Sequence, residues 1–251
     1  MSLLNWSMFG GYIVLIFIIN QVAKYLSPDA KASIIKYLEQ TNYFENMNEI
    51  DLKVRNCKTQ SECKHKYIKG LRNPSASESK FIFHIVNEHV MPLLDKYKLL
   101  TNIPWKFCIQ TDKHVEGNMP HTHADVIVLP EYYVKIHMDK QTQKTIIHER
   151  IHIFQRLYPI NTYTILSKYG GFNIECNKDT LLDKKPMRTN PDTNNLIMSS
   201  DKKELITATY NNNPISLTDI IDKRDHPFEL MAYTLTDYIL QKDTLPYENL
   251  L

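Results

Sequence analysis

Neither sign of charge prevails in this chain: 30 Lys and Arg stand against 28 Asp and Glu in 251 residues. Without a one-signed field there is no electrostatic footprint for nucleic acid, and none is expected as a partner. CxxC spacing is also missing. The four cysteines, Cys57, Cys63, Cys108 and Cys176, therefore form neither a zinc clasp nor a redox couple of that type. A chain of this length buries a core without staples, which favours free thiols over a Cys57 to Cys63 bridge. Internal repeats and low-complexity tracts are absent, leaving one sizeable domain with or without an attached segment.

Charge is missing altogether from the first 23 residues. The run "MFGGYIVLIFII" is densely apolar, and its flanks Trp6 and Tyr25 suit a membrane interface. From Trp6 to Leu26 there is length for one bilayer crossing at about 1.5 Å per residue. The expectation is a single-pass anchor over residues 1–26. A cleaved signal peptide is the rival, with "AKA" at Ala30 to Ala32 as its cleavage echo, but no positive charge precedes the run. Lys24, Lys31 and Lys36 follow it, which places the rest of the chain on the cytoplasmic side of a membrane.

Residues 27–79 read as a helical lead-in, with Ile34, Ile35 and Leu38 at helical spacing, passing into a charged, thinly periodic linker from Asn46 to Ser79. "FIFHIVNEHVMPLLDKYKLL" carries a helical stripe kinked at Pro92. "PWKFCIQT" and "DVIVLP" read as strands on either side of a polar loop. A helix then starts at Asp139 and stops at Pro159, and irregular chain with short strands follows to about Asn213. The last helix begins at "HPFELMAY", where Pro227 suits a first helical position.

Within "TIIHERIHIF" two histidines stand four residues apart, with a glutamate directly after the first. On a helix His148 and His152 share a face and can direct both imidazoles at one ion. Glu149 is turned about 100° away, outside the first shell and near enough to reach water on the metal. That is the geometry by which HExxH supplies two zinc ligands and a general base. Three fixed positions also recur by accident, but Ile146, Ile147, Ile151, Ile153 and Phe154 make this helix apolar nearly all round. Buried polar groups need partners, and a metal satisfies all three.

On these residues the chain resembles the HExxH zinc metallopeptidases, the zincins, over roughly residues 80–251. The resemblance implies an α+β fold, a zincin-like domain of small sheet, HExxH helix and helical C-terminal part, which follows the N-terminal transmembrane helix expected from the apolar run. It implies Zn²⁺ as cofactor and a peptide or protein substrate, laid by strand addition along the edge of "DVIVLP". Arg150 departs from the uncharged pattern between the ligands and is expected to snorkel outward. Gln155 stands where the longer HExxHxxGxxH pattern needs Gly, and that pattern does not continue here. A gluzincin-like arrangement is left, in which a later glutamate is the third ligand. Glu229, three positions before the small Ala232, is preferred to Glu175 in "FNIECN". Tyr233, His226 and Arg188, in that order, are the candidates to stabilise the oxyanion beside the base Glu149.

His121, His123 and Asp125 form a second cluster on an extended segment. His123 and Asp125, completed by His226, match the two-histidine, one-carboxylate iron site of oxygenases; lining the mouth of a cleft, or standing as plain loop histidines, are the plainer roles. The rival to an enzyme is a catalytically inactive zincin-fold membrane protein that serves as a structural or binding module. Low glycine with abundant lysine, asparagine and isoleucine resembles proteins of AT-rich genomes, large DNA viruses among them.

Overall fold

The computed structural model describes residues 29–251 apart from 136–138, 171, 175–186, 194–197, 201–204, 207, 221–225 and 246. Among the described residues no helix is long and apolar enough to cross a membrane. The expected fold class is corrected accordingly to α+β with a small mixed sheet, and the anchor expected over residues 1–26 lies outside the described residues.

That sheet has the order β1-β2-β4-β3. β1 (Leu71–Arg72) pairs antiparallel with β2 (Phe107–Gln110), β2 pairs parallel with β4 (Val126–Pro130), and β3 (His121–His123) pairs antiparallel with β4. β2 and β4 are buried along their whole length because both faces are covered. Alternation splits their side chains between two cores. Phe107, Ile109, Ile127 and Leu129 join the core shared with the helix carrying HExxH. Cys108, Val126 and Val128 join the other, with residues of α1 (Ala30–Gln40), α2 (Glu49–Val54) and α3 (Gln60–Gly70).

Residues 49–72, expected as linker, are thus folded onto the sheet. Their helices are capped by polar side chains: Asn48 accepts from the Asp51 N–H and Thr59 from the Glu62 N–H. The periodicity looks thin because α3 buries only Cys63, Tyr67 and Gly70, one residue per turn. Cys57, Cys63 and Cys108 are free thiols.

Ser75 and Glu78 form a capping box that starts α4 (Ala76–His84). Pro92 offers no N–H to the preceding turn, and its ring would press on the carbonyl four residues back. The chain widens into a π turn over Ile85–Val90, where the Met91 N–H reaches the Val86 carbonyl, before α5 (Met91–Leu94) and α6 (Lys98–Asn102). Bidentate hydrogen bonds from Arg72, at 2.7 Å each, hold the Glu78 carboxyl down at about 2, from an ordinary 4.5. A depressed carboxyl contributes stability above its unfolded value and loses it as pH falls through the folded one. Urea unfolding from pH 5 to pH 2 is therefore expected to show a loss of stability that is smaller in Glu78→Gln than in the wild type.

After β4 come α7 (Glu131–Lys135) and the long helix α8 (Asp139–Leu157), which carries HExxH. Pro159 does end α8, but it also begins a further helix, α9 (Pro159–Gly170), where irregular chain was expected. Pro at the first position of a helix costs nothing, so the same residue serves as stop and start. A second, antiparallel sheet follows, in the order β5 (Phe172–Ile174), β6 (Met198–Ser200), β7 (Leu205–Ile206). The last helix, α10 (Pro227–Gln241), packs along α8.

Arg150 reverses its expectation. It is fully buried, its guanidinium lies 3.6 Å from the Trp105 ring centroid, and it donates to the carbonyls of Leu100, Ile103 and Pro104. Those carbonyls lie in the last turn of α6 and just past its end, where unpaired oxygens need donors. A planar fork of donors satisfies several at once.

Candidate metal centre

The pairing of α8 with α10 makes the site. Ile146, Ile147, Ile151, Ile153 and Phe154 turn α8 into the core, while His148 and His152 meet Glu229 of α10 and Glu149 lines the cleft. Pro227 opens α10, and Nδ1 of His226 accepts the Phe228 N–H at 3.1 Å as its cap. His226 is therefore spent on the helix end and is not among the residues lining the cleft below. Glu229 follows in the first turn, and Ala232 is fully buried in the core both helices share.

Nε2 of His148 and Nε2 of His152 lie 3.1 Å apart, and each is 3.3 Å from Oε2 of Glu229. This is the one group of three His, Cys, Asp or Glu side chains among the described residues that can hold a metal ion, its ligand atoms all within 4.8 Å. Bonds of 2.0–2.1 Å in a tetrahedron place neighbouring ligand atoms about 3.3 Å apart. The triangle has that size, so the residues fit a small divalent ion bound by two imidazoles and one carboxylate. Glu175, the other candidate third ligand, lies outside the described residues.

Charge inside the group is strongly perturbed. Burial lowers the basicity of His152, but Glu229 and then Asp192 prevail and push it up to about 10. Burial acts to raise Glu229; the imidazoles, His152 foremost, prevail and hold it well below the usual carboxylate range. A proton and a metal ion compete for the same nitrogen lone pair. Glu149 differs: burial and then the Asp192 carboxylate drive it well above the ordinary carboxyl value. Its Oε2 is buried and finds no hydrogen-bond partner among the described residues.

A cleft of ≈ 490 Å³ opens onto the triad. His148, Glu149, Glu229 and Tyr233 line it, as does the segment Thr189 to Asp192. Tyr233 is 47% exposed, with its ring centroid 4.4 Å from that of His148. Arg188 also lines the cleft, with its Nη1 donating to the Leu217 carbonyl at 3.3 Å.

Three side chains that the HExxH pattern does not reveal support the ligands. Gln155 accepts from His152 Nδ1 at 2.8 Å and donates to the Phe228 carbonyl at 2.9 Å. It thereby orients the His152 ring with Nε2 toward His148 and Glu229, and ties α8 to α10. Asn190 donates to Oε1 of Glu229 at 2.7 Å. Asp192 accepts from the Thr122 N–H and hydroxyl, each at 2.7 Å. Gln155 had a local signal, three residues beyond the second histidine. Asn190 and Asp192 sit in the turn-rich "TNPD", which marks a bend and says nothing of what it reaches.

Those contacts correct the expected peptide track. Among the described residues β4 is interior, paired with β2 over Ile127–Pro130 and with β3 over Val126–Val128. β3 is the edge strand, and its Thr122 N–H is already taken by Asp192. The oxygenase reading is also corrected. Asp125 pairs with Lys106 at 2.7 Å, and His121 bonds the Tyr67 hydroxyl at 2.8 Å. His123 is fully buried among the rings of Tyr37, Tyr43 and Tyr67, so only His121 touches the cleft. No family model matches the chain, and no curated protein or solved structure matches it either.

Proposed function

We propose that the chain is a zinc-dependent, gluzincin-like peptidase in which His148, His152 and Glu229 hold the ion and Glu149 is the base. The observation that carries this reading is the triangle of ligand atoms facing a cleft, with a buried carboxylate oxygen on the same turn of helix that has no hydrogen-bond partner among the described residues. Two imidazoles suit zinc better than calcium or magnesium, which favour all-oxygen sites. Zinc bound there supplies Lewis acidity, which eases ionisation of water and polarises a carbonyl.

The chain's own residues do the rest. Glu149 takes a proton from water in the cleft and returns it to the departing amine. Its buried position keeps the carboxyl's affinity for a proton high enough to accept one. Tyr233, one turn after Glu229 and exposed on the cleft wall, presents a hydroxyl donor to the oxygen that gains charge. With Thr122 occupied by Asp192, an extended substrate is held by the cleft walls rather than by the strand edge.

Metal analysis of the purified full chain tests the reading. About one zinc per chain is expected, with His152→Ala losing it and a chelator abolishing cleavage of a peptide library. Absence of zinc from the wild type, or cleavage that persists in chelator, refutes it.

A further inference from the structure

Glu229 has two carboxylate oxygens, and Oε2 is the one recorded 3.3 Å from Nε2 of each imidazole. Oε1 is held by Asn190 Nδ2 at 2.7 Å, in a contact that is 9% exposed at the asparagine. The orientation of that amide is fixed from its other end, because Asn190 Oδ1 accepts the Asp192 N–H at 2.9 Å. A flipped amide would set oxygen against oxygen and nitrogen against N–H, losing both bonds.

The segment bearing Asn190 is pinned on three sides. Thr189 donates its hydroxyl to Asp51 at 2.6 Å, and its carbonyl accepts from Arg55 at 2.8 Å. Asp192 is bound to Thr122 on the sheet edge, and the Pro191 carbonyl accepts from Arg156 of α8 at 3.2 Å. Asn190 is thus delivered to Glu229 by a loop that has little freedom to move.

We propose that Asn190 is a positioning residue that restricts Glu229 to one-oxygen coordination and so sets the coordination number of the centre. This rests on the metal reading given above. A carboxylate released from Asn190 is free to turn its second oxygen onto the ion, because carboxylates bind metals through one oxygen or two. Two-oxygen binding would fill the position that a hydrolytic site keeps open. Removing an outer hydrogen bond of this kind costs about 10- to 100-fold in metal affinity.

Cobalt titration of the metal-free full chain, followed by visible absorption, tests the inference, because the band intensity of Co²⁺ reports its coordination number. Asn190→Asp keeps the acceptor for the Asp192 N–H and removes the donor to Glu229; Asn190→Ala removes both. Both variants are expected to bind Co²⁺ about 10- to 100-fold more weakly and to show weaker visible bands than the wild type, with unchanged circular dichroism. If the wild type takes up no cobalt, the metal reading fails and this inference with it. If the wild type binds and Asn190→Asp matches it in affinity and spectrum, this inference alone fails, whatever Asn190→Ala does, because the asparagine then only supports its loop.

Discussion

Glu149→Gln is expected to retain its metal in full and to lose about 10²- to 10⁴-fold in kcat, the usual span for loss of a general base. The two side chains have the same shape, so a residue that is only 4% exposed can be exchanged without opening a cavity. Glu149 is not one of the three atoms of the metal group, so affinity for the ion should hold. What disappears is a carboxylate oxygen that has no hydrogen-bond partner among the described residues. Buried polar atoms are nearly always satisfied, and an exception in a cleft wall points to a group kept free for a transient proton. The two assays together separate the proposals. Zinc retained with activity lost supports the base, whereas equal, negligible cleavage by wild type and variant leaves a metal-binding scaffold of the inactive kind.

The site was legible in the sequence to the extent that its geometry is local. His148, Glu149 and His152 span little more than one helical turn, so spacing alone fixes which side chains share a face. Glu229 was legible for a related reason: Pro227 marks the first turn of a helix, and the carboxylate two residues on must emerge at its start. The supports come from far away. Thr189 meets Asp51 across 138 positions and Asn190 meets Glu229 across 39, and no periodicity encodes such pairings. Arg150 misled for the opposite reason. An arginine on an apolar helix reads as surface, and only the tertiary arrangement of carbonyls at the end of α6 makes a buried position tolerable. The fold was read best where elements bury a broad stripe, as in β2, β4 and α8, and worst in α3, whose stripe is one residue wide.

Arg55→Leu is expected to cost about 3–5 kcal/mol of unfolding free energy, because it strands buried carboxylates rather than merely deleting a contact. Arg55 is fully buried and pairs with Asp51 at 2.7 Å and Glu116 at 3.3 Å, themselves 0% and 3% exposed. Tyr43 donates to Glu116 and Tyr210 to Asp51, so the network is nearly satisfied as it stands. Urea denaturation measures the loss. Replacing Asp51, Arg55 and Glu116 together by apolar residues of similar size is expected to return most of the stability, since a buried ion cluster and a packed apolar one are often equivalent. Metal binding should not return with it. Asp51 and Arg55 hold Thr189, Thr189 adjoins Asn190, and Asn190 holds Glu229. A triple variant that folds as stably as the wild type and binds zinc more weakly would separate the two roles: the cluster would then serve chiefly to carry the third ligand to the two imidazoles. A triple variant with wild-type zinc affinity would show that α10 alone is enough to place Glu229.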